Sequence, residues 1–355
     1  MADRLRDYER KRNFSATPEP AGADEAEHGE HARFVVQEHS ATRLHWDLRL
    51  EHEGTLASWV IPNGIPRDPK QNRKAVRTED HPLEYLDFHG EIPEGNYGAG
   101  TMTIWDRGTY ESHEFEEGKV VVTFHGERVQ GRYALFHAGR DPKDWLIHRM
   151  DPPEPGRDPM PEGIEPMHAT RGELPDPDDG WAYEIDWGGE RAIAYGLPGR
   201  LRLEDADGDE IAARYPELRR LIRALGSREV VLDGAVVAFD ADGRPSAERL
   251  EHRAQPASDS TVRRRAKSHP VTYVVFDLLH LEGRTLLDAL YAERRELLEG
   301  LDLNGASWQA PTHHVGDGAA LLDAAHGRGL DGVVAKRLDS AYEPGRRSDA
   351  WVEIR

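Results

Sequence analysis

The chain has 355 residues, 37% hydrophobic and 32% charged, with a mean hydropathy of −0.74. It holds no run of about 18 apolar residues, which excludes a membrane-spanning helix, and no cysteine, which excludes disulfides, thiol nucleophiles and cysteine-based zinc sites. A net charge of −20 excludes a general nucleic-acid coat protein, because phosphate contacts need cations, yet leaves room for a local basic groove.

A single core stops growing near about 250–300 residues, so this length predicts two domains. The first 20 residues are charged and lack an apolar stretch, so no secretory signal is expected and a cytoplasmic location is. Positive charge clusters in RLRDYERKR near the start, in RDPKQNRKAVR (67–77) and in TVRRRAK (261–267). Only seven of the 46 basic residues are lysines, which matters where a lysine is required. AGADEAEHGEHA (21–32), DPPEPGRDPMPEGIEP (151–166) and RGELPDPDDG (171–180) read as linkers, and the last two predict a boundary across 151–180. Residues 1–150 are then one domain and 181–355 another.

From 33 to 150 the segments RFVVQEH, LHWDLRLEH, LASWVIP, GTMTIWDRG, KVVVTFHG, RYALFHAG and DWLIHRM are short, β-branched and aromatic, and punctuated by glycine and proline. They predict a mainly β domain, an antiparallel sheet or barrel. Beyond 180, strand patterns such as WAYEIDW, REVVLDGAVVAFD and VTYVVFDLLH alternate with amphipathic stretches such as ALYAERRELLEGL (289–301), predicting an α+β domain with antiparallel sheets.

Within HSATRLHWDLRLE, alternation on a strand places His45, Asp47 and Arg49 on one face, and Leu44, Trp46, Leu48 and Leu50 on the other. With His39 close by, two imidazoles and a carboxylate make a divalent-metal site, with Mn, Zn or a related ion favoured by the absence of cysteine. Arg49 offers a planar fork suited to phosphate. A solvent-facing strand with scattered charges would show the same alternation. His81, Tyr85 and a turn carrying Pro93, Gly95, Gly98 and Gly100 follow in 79–108. His81 is the candidate acid–base group, since histidine titrates near neutrality.

The blocks RNFSATPEP, FVVQEHSATRLHWDLRLE, SWVIPNG, EDHPLEY and GEIPEGNYGAGTMTIWDRGTY together resemble the 3′-phosphoesterase domain of bacterial and archaeal DNA ligase D. That resemblance implies a Mn-dependent enzyme that trims DNA 3′ ends at a primer–template, removing a terminal ribonucleoside and then the 3′-phosphate. It implies His39, His45 and Asp47 as metal ligands, Arg49, Arg73, His81 and Tyr85 as the phosphate-gripping and catalytic set, and Arg12, Glu19 and Gln37 as further substrate-site positions. Two positions depart from the family pattern: Asn13 replaces an aspartate and Asn63 replaces a phosphate-contacting lysine.

EPMHAT (165–170), LDGAVVAFDADGRPSAERLEHR, YVVFDLLHLEGR and DGVVAKRLDSAYEPGRRSDAWVEIR resemble the adenylation (nucleotidyltransferase) domain of ATP-dependent DNA ligases. The family's E-x-K-W-D-G-x-R block reads Glu184-Ile185-Asp186-Trp187-Gly188-Gly189-Glu190-Arg191, so Asp186 stands where the lysine forms lysyl-AMP. Ala206, Ala235, Asp331 and Glu353 replace further family groups, whereas Arg191, Asp233 and Lys336 are retained, and the match stops at Arg355, where the oligonucleotide-binding domain would begin. The resemblance therefore implies an end-healing hydrolase of non-homologous end joining joined to a degenerate ligase site that does not use ATP. DNA 3′ ends, and also Ku or a separate ligase or polymerase, are its expected partners. A non-catalytic DNA-end or repair-partner binding protein is the alternative, and an active ATP-dependent ligase a third reading.

Overall fold

The computed structural model describes residues 5–22, 32–153 and 156–355, so the acidic stretch at 21–32 lies mostly outside the described residues. The chain divides into two compact units, Met1–Arg157 and Asp158–Arg355.

In the first unit the strands are β1 (Arg33–Ser40), β2 (Leu44–His52), β3 (Thr55–Ile61), β4 (Asn72–Arg77), β5 (Gly90–Ile92), β6 (Gly100–Glu116), β7 (Lys119–Gly126), β8 (Gln130–His137) and β9 (Asp144–Arg149). They run in the order β1-β2-β3-β4-β9-β8-β7-β6, and β6 pairs back onto β1. Among the described residues this closes an eight-stranded barrel in which every pairing is antiparallel, with β5 added outside on β6. Closure leaves the barrel wall without an unpaired strand edge.

Alternation along each strand decides what fills the barrel. Phe34 and Val36 of β1, Trp46, Leu48 and Leu50 of β2, and Trp59 of β3 meet Phe124, Tyr133, Leu135 and Ile147 in one buried core. The opposite face of β1 to β3 carries Val35 and Leu56, and is covered by Tyr8, Leu83, Tyr85 and Leu86. That cover is the N-terminal segment with its short helix Arg6–Arg10 and the 3-10 turn Leu83–Leu86, which Pro82 introduces. Gly100 has a φ of +146°, and a Cβ there would lie 2.5 Å from the Ser40 carbonyl oxygen, so β6 comes this close to the end of β1 only with glycine.

The second unit is α+β. Its strands are β10 (His168–Arg171), β11 (Trp181–Ile185), β12 (Glu190–Leu197), β13 (Arg200–Asp205), β14 (Val230–Ala238), β15 (Val271–Leu281), β16 (Arg284–Thr285), β17 (Asn304–Gly305), β18 (Trp308–Gln309), β19 (His314–Val315), β20 (Val333–Arg337) and β21 (Arg347–Ile354). One sheet runs β10-β21-β20-β11-β19. The other runs β13-β12-β14-β15-β18-β17, with β16 beside β15. Helices Ala247–Ala254, Asp259–Ser268, Tyr291–Glu299 and Gly318–Gly327 join the strands. The sheets are not wholly antiparallel as expected, since β10 pairs β21 and β15 pairs β18 in parallel.

The structure also corrects the expected linker over 151–180. The division falls after Arg157, and residues 158–180 belong to the second unit. Ile164 and Met167 are buried there against Tyr195, Tyr342 and Trp351, and His168–Arg171 forms a strand. The Ile164 and Met167 N–H groups also donate to the Tyr195 and Tyr342 hydroxyls, at 2.9 Å each.

Candidate active sites

In the first unit, β1 and β2 place His39 opposite His45 and Gln37 opposite Asp47. Asp47 and Arg49 therefore face away from the aromatic core, under the N-terminal cover. A cavity of about 160 Å³ opens there, lined among others by Arg12, Glu19, His39, His45, Asp47, Arg49, Glu79, His81, Tyr85 and Tyr97. His39, His45 and Asp47 each bring a ligand atom within 4.8 Å of the other two. The His39 Nδ1 lies 3.8 Å from Asp47 Oδ2 and the His45 Nε2 lies 3.7 Å from Asp47 Oδ1.

Arg49 organises this wall. Its Nε donates to Gln37 Oε1 at 2.7 Å, its Nη1 to Ser58 Oγ at 3.1 Å and its Nη2 to Asp47 Oδ2 at 3.0 Å. Gln37 in turn donates to the carbonyls of Tyr85 and Phe88, which ties the 3-10 turn to the barrel. With Oδ2 taken, Asp47 Oδ1 is buried without a hydrogen-bond partner among the described residues, and so is His39 Nε2. Buried polar atoms are ordinarily satisfied. Two that are not, beside a second imidazole, fit a divalent cation. Burial holds the His39 imidazole below its usual range against the pull of Asp47, so a neutral, ligating ring is the resting form.

Above this wall, Arg12 Nε donates to Glu19 at 2.7 Å and its Nη1 to Glu79 at 3.0 Å. The Tyr85 hydroxyl donates to Glu19. Burial raises the Tyr85 phenol well above its usual range, so it stays protonated. His81 Nδ1 lies 2.9 Å from the Glu79 carbonyl oxygen, which can only accept, and so Nδ1 carries the proton. The His81 Nε2 then presents its lone pair, 3.1 Å from Arg12 Nη2. Burial, reinforced by the Arg49 and Arg12 guanidiniums, holds the His81 imidazole well below its usual range. His81 is thus a neutral proton acceptor with a fixed tautomer.

The structure gathers Arg12, Glu19, His39, His45, Asp47, Arg49, His81 and Tyr85 around the cavity, with Gln37 behind them. Arg73 is not among the cavity's lining residues. It pairs with Ile147 across β4–β9, next but one to the buried Ala75, and its Nη2 donates to Gln71 at 2.7 Å. Period-two alternation puts it on the core-facing side of β4. Two cavity groups, Glu79 and Tyr97, and one ring packed on His81 escaped the sequence reading. Glu79 binds both Lys11, at 2.8 Å, and Arg12. Those hydrogen bonds outweigh the effect of burial and hold the Glu79 carboxyl below its usual range. Tyr97 sits under Lys11 and Arg12, with cation-to-ring distances of 5.0 and 5.4 Å. Tyr8 packs edge-on to His81. The EDH triplet was the one available signal for Glu79.

In the second unit a cavity of about 220 Å³ is lined by Glu184, Asp186, Trp187, Gly188, Gly189, Arg191, Ala235, Phe276, Lys336 and Trp351, among others. Asp186 lies on its wall, accepting from the Gly188 N–H at 3.0 Å. Lys336 is the only lysine among the lining residues. Its Nζ is 2.7 Å from Glu184 Oε2 and 4.2 Å from the Trp351 ring. Burial pulls the Lys336 ammonium below its usual range, against Glu184 and Asp277. Arg191 grips the fully buried Asp233 with Nε at 2.7 Å and Nη2 at 2.5 Å, and the Tyr342 hydroxyl donates to the same carboxylate at 2.7 Å. Asp331 and Ala206 do not line this cavity, whereas Ala235 does.

Residues 37–137 match the family model of the DNA Ligase D 3′-phosphoesterase domain, and residues 168–355 match that of the ATP dependent DNA ligase domain. The chain is 41% identical over 365 residues to the multifunctional non-homologous end joining protein LigD of Mycolicibacterium smegmatis, an alignment covering 99% of this chain and 46% of that protein. Against the multifunctional non-homologous end joining DNA repair protein LigD of Mycobacterium tuberculosis H37Rv it is 40% identical over 358 residues, covering 99% of this chain and 45% of that one. The chain therefore spans less than half the length of these relatives. A solved mycobacterial DNA ligase D complexed with ATP and MES is 38% identical, with 54% of this chain and 60% of that chain covered and a TM-score of 0.45. From residue 37 to its last residue the chain carries these two domains in one order, and it belongs to the DNA ligase D family, as a 3′-phosphoesterase domain followed by an ATP-dependent DNA ligase domain.

Proposed function

We propose that the first unit is a metal-dependent hydrolase of DNA 3′ ends, removing a 3′-ribonucleoside and a 3′-phosphate during non-homologous end joining. The observation that carries this reading is the pair of buried, unpartnered ligand atoms, Asp47 Oδ1 and His39 Nε2, beside His45. His39, His45 and Asp47 would hold a divalent cation, Mn by family resemblance, and such an ion neutralises phosphate charge and acidifies water. The remaining steps belong to the chain's own residues. Arg12 and Arg49 offer fixed guanidiniums to the phosphate oxygens without reorganisation. The His81 Nε2 is the atom able to take a proton from an attacking water, once Arg12 turns to the substrate, and to return it to the leaving oxygen. The protonated Tyr85 hydroxyl is a donor that can turn from Glu19 to a phosphate oxygen.

The second unit, in this reading, forms no covalent adenylate. Asp186 has no amine to make the phosphoramidate and adds negative charge where a triphosphate would lie, and Lys336 is engaged with Glu184. DNA ends are the proposed substrate, with Ku or a separate ligase or polymerase as partners. The test is a gel assay of 3′-phosphate and 3′-ribonucleotide primer–templates with MnCl2. Metal-dependent conversion to a 3′-hydroxyl, lost in H39A and H81A, is the expected result. Tight DNA binding without conversion would leave a binding protein instead.

A further inference from the structure

In a chain of net charge −20, five cations without an ion pair gather in one region of the second unit. Helix Asp259–Ser268 exposes Arg263, Arg264 and Lys267, the lysine lying about one helical turn from each arginine. The helix packs against the 3-10 turn Pro216–Arg220, which exposes Arg219 and Arg220. None of these five side chains makes an ion pair among the described residues. The nearby acids are engaged or set apart. Glu217 holds Arg253 at 2.6 Å, Asp259 stands at the helix start, and Glu248 and Glu251 lie on the neighbouring helix Ala247–Ala254.

We propose that this face is a docking surface for the phosphate backbone of DNA, separate from the cavity lined by Asp186 and Lys336. The inference rests on the reading of the chain as a DNA-end enzyme. Charge selects a polyanion, and the rest of the surface selects nucleic acid over an acidic protein. Ser258, Ser260, Thr261 and Ser268 flank the cations, and hydroxyls with arginine and lysine are the usual partners of phosphate oxygens. A protein partner would be anchored by buried aromatic or apolar side chains. The large exposed hydrophobics of the described residues, Tyr97, Met150, Leu290 and Val315, all lie in other segments. Backbone docking is indifferent to sequence, and it would retain a second unit on DNA without any ligation chemistry.

The test is the salt dependence of duplex binding by the full chain, followed by fluorescence anisotropy from 50 to 200 mM salt. The variants are R263A/R264A/K267A and, independently, R219A/R220A. Each phosphate contact contributes about 0.9 to the log–log slope. The triple variant is therefore expected to lower the slope by about 2 to 3 and the double by about 1 to 2, with affinity at 0.1 M salt falling about tenfold or more. R284A, an exposed arginine paired with Glu293 at 2.5 Å, should leave the slope unchanged. Hydrolysis of a short 3′-phosphate substrate and far-UV circular dichroism report that the variants are folded. Unchanged slopes in both variants overturn the proposal. So does a loss of polyglutamate binding with DNA binding intact, which would assign the face to an acidic protein. Failure of the hydrolase reading shows separately, as absent turnover in the unmutated chain.

Discussion

Arg12 Nη2 lies 3.1 Å from His81 Nε2, so the imidazole that could move a proton is held as an acceptor by the cation that could hold the phosphate. The two groups are 69 residues apart in sequence. Neither can act on a substrate while it serves the other, and binding of a phosphate is the event that would separate them.

A neutral His81 has a pH signature. Its folded pKa lies well below 6.5, because burial and the Arg49 and Arg12 charges disfavour the imidazolium. Below pH 6.5 the unfolded chain binds this proton and the native chain does not, so stability falls as pH drops from 6.5 toward the folded value. H81Q should make urea-unfolding stability flatter between pH 6.5 and 5 than in the unmutated protein. A slope of unchanged steepness in H81Q would show that other groups bear the effect.

Removal of the proposed metal ligands should separate binding from folding. Ligand binding to the native state raises stability with concentration. MnCl2 should raise the melting temperature of the unmutated chain, and this rise should vanish in D47N. With no metal, H39A should stay within about 1–3 kcal/mol of the unmutated protein, since it removes a buried imidazole with one unsatisfied nitrogen.

Arg49 carries a larger expected penalty on turnover than on fold specificity. Loss of one preorganised donor in a site of this kind costs about 10²–10³ in rate. R49K should show a drop of that order in kcat, measured on a 3′-phosphate primer–template, because a point charge cannot reach Gln37, Ser58 and Asp47 together.

Incubation with labelled ATP should yield no covalent adduct that survives denaturing gel electrophoresis in the unmutated protein. D186K alone should also fail to ligate nicked DNA, since Ala235, Asp331 and Glu353 replace further family groups. In the same cavity, E184A should destabilise the second unit by about 3–5 kcal/mol in urea unfolding, because it strands the buried Lys336 ammonium.

Sequence patterning was most informative where neighbours in the chain are neighbours in the site. The alternation of Leu44 to Glu51 revealed which side chains share a face of β2, and strand density foretold the barrel. What it missed depends on distance along the chain. Glu79 and Lys11 meet across 68 residues, and no local period marks such a pair. The placement of Arg73 depends on the register of β4 against β9, which no local pattern gives, and one residue of register decides the face. The 158–180 stretch looked like a linker because proline, glycine and charged residues dominate its composition, while scattered apolar residues such as Ile164 and Met167 do the packing.

The barrel of the first unit is closed and filled with indoles and phenyl rings, so its chemistry is built on the outside of the wall and completed by residues 5–22. Wall and cover are different kinds of part. The wall holds His39, His45, Asp47 and Arg49 by strand pairing, whereas Arg12 and Glu19 arrive on a segment that is not in the sheet. A protease cutting ahead of Arg33 would thus leave a molecule with its barrel core and metal ligands in place but no clasp to receive the phosphate. Such a product would look whole to a folding assay and to a metal titration, and would leave a DNA 3′ end unprocessed.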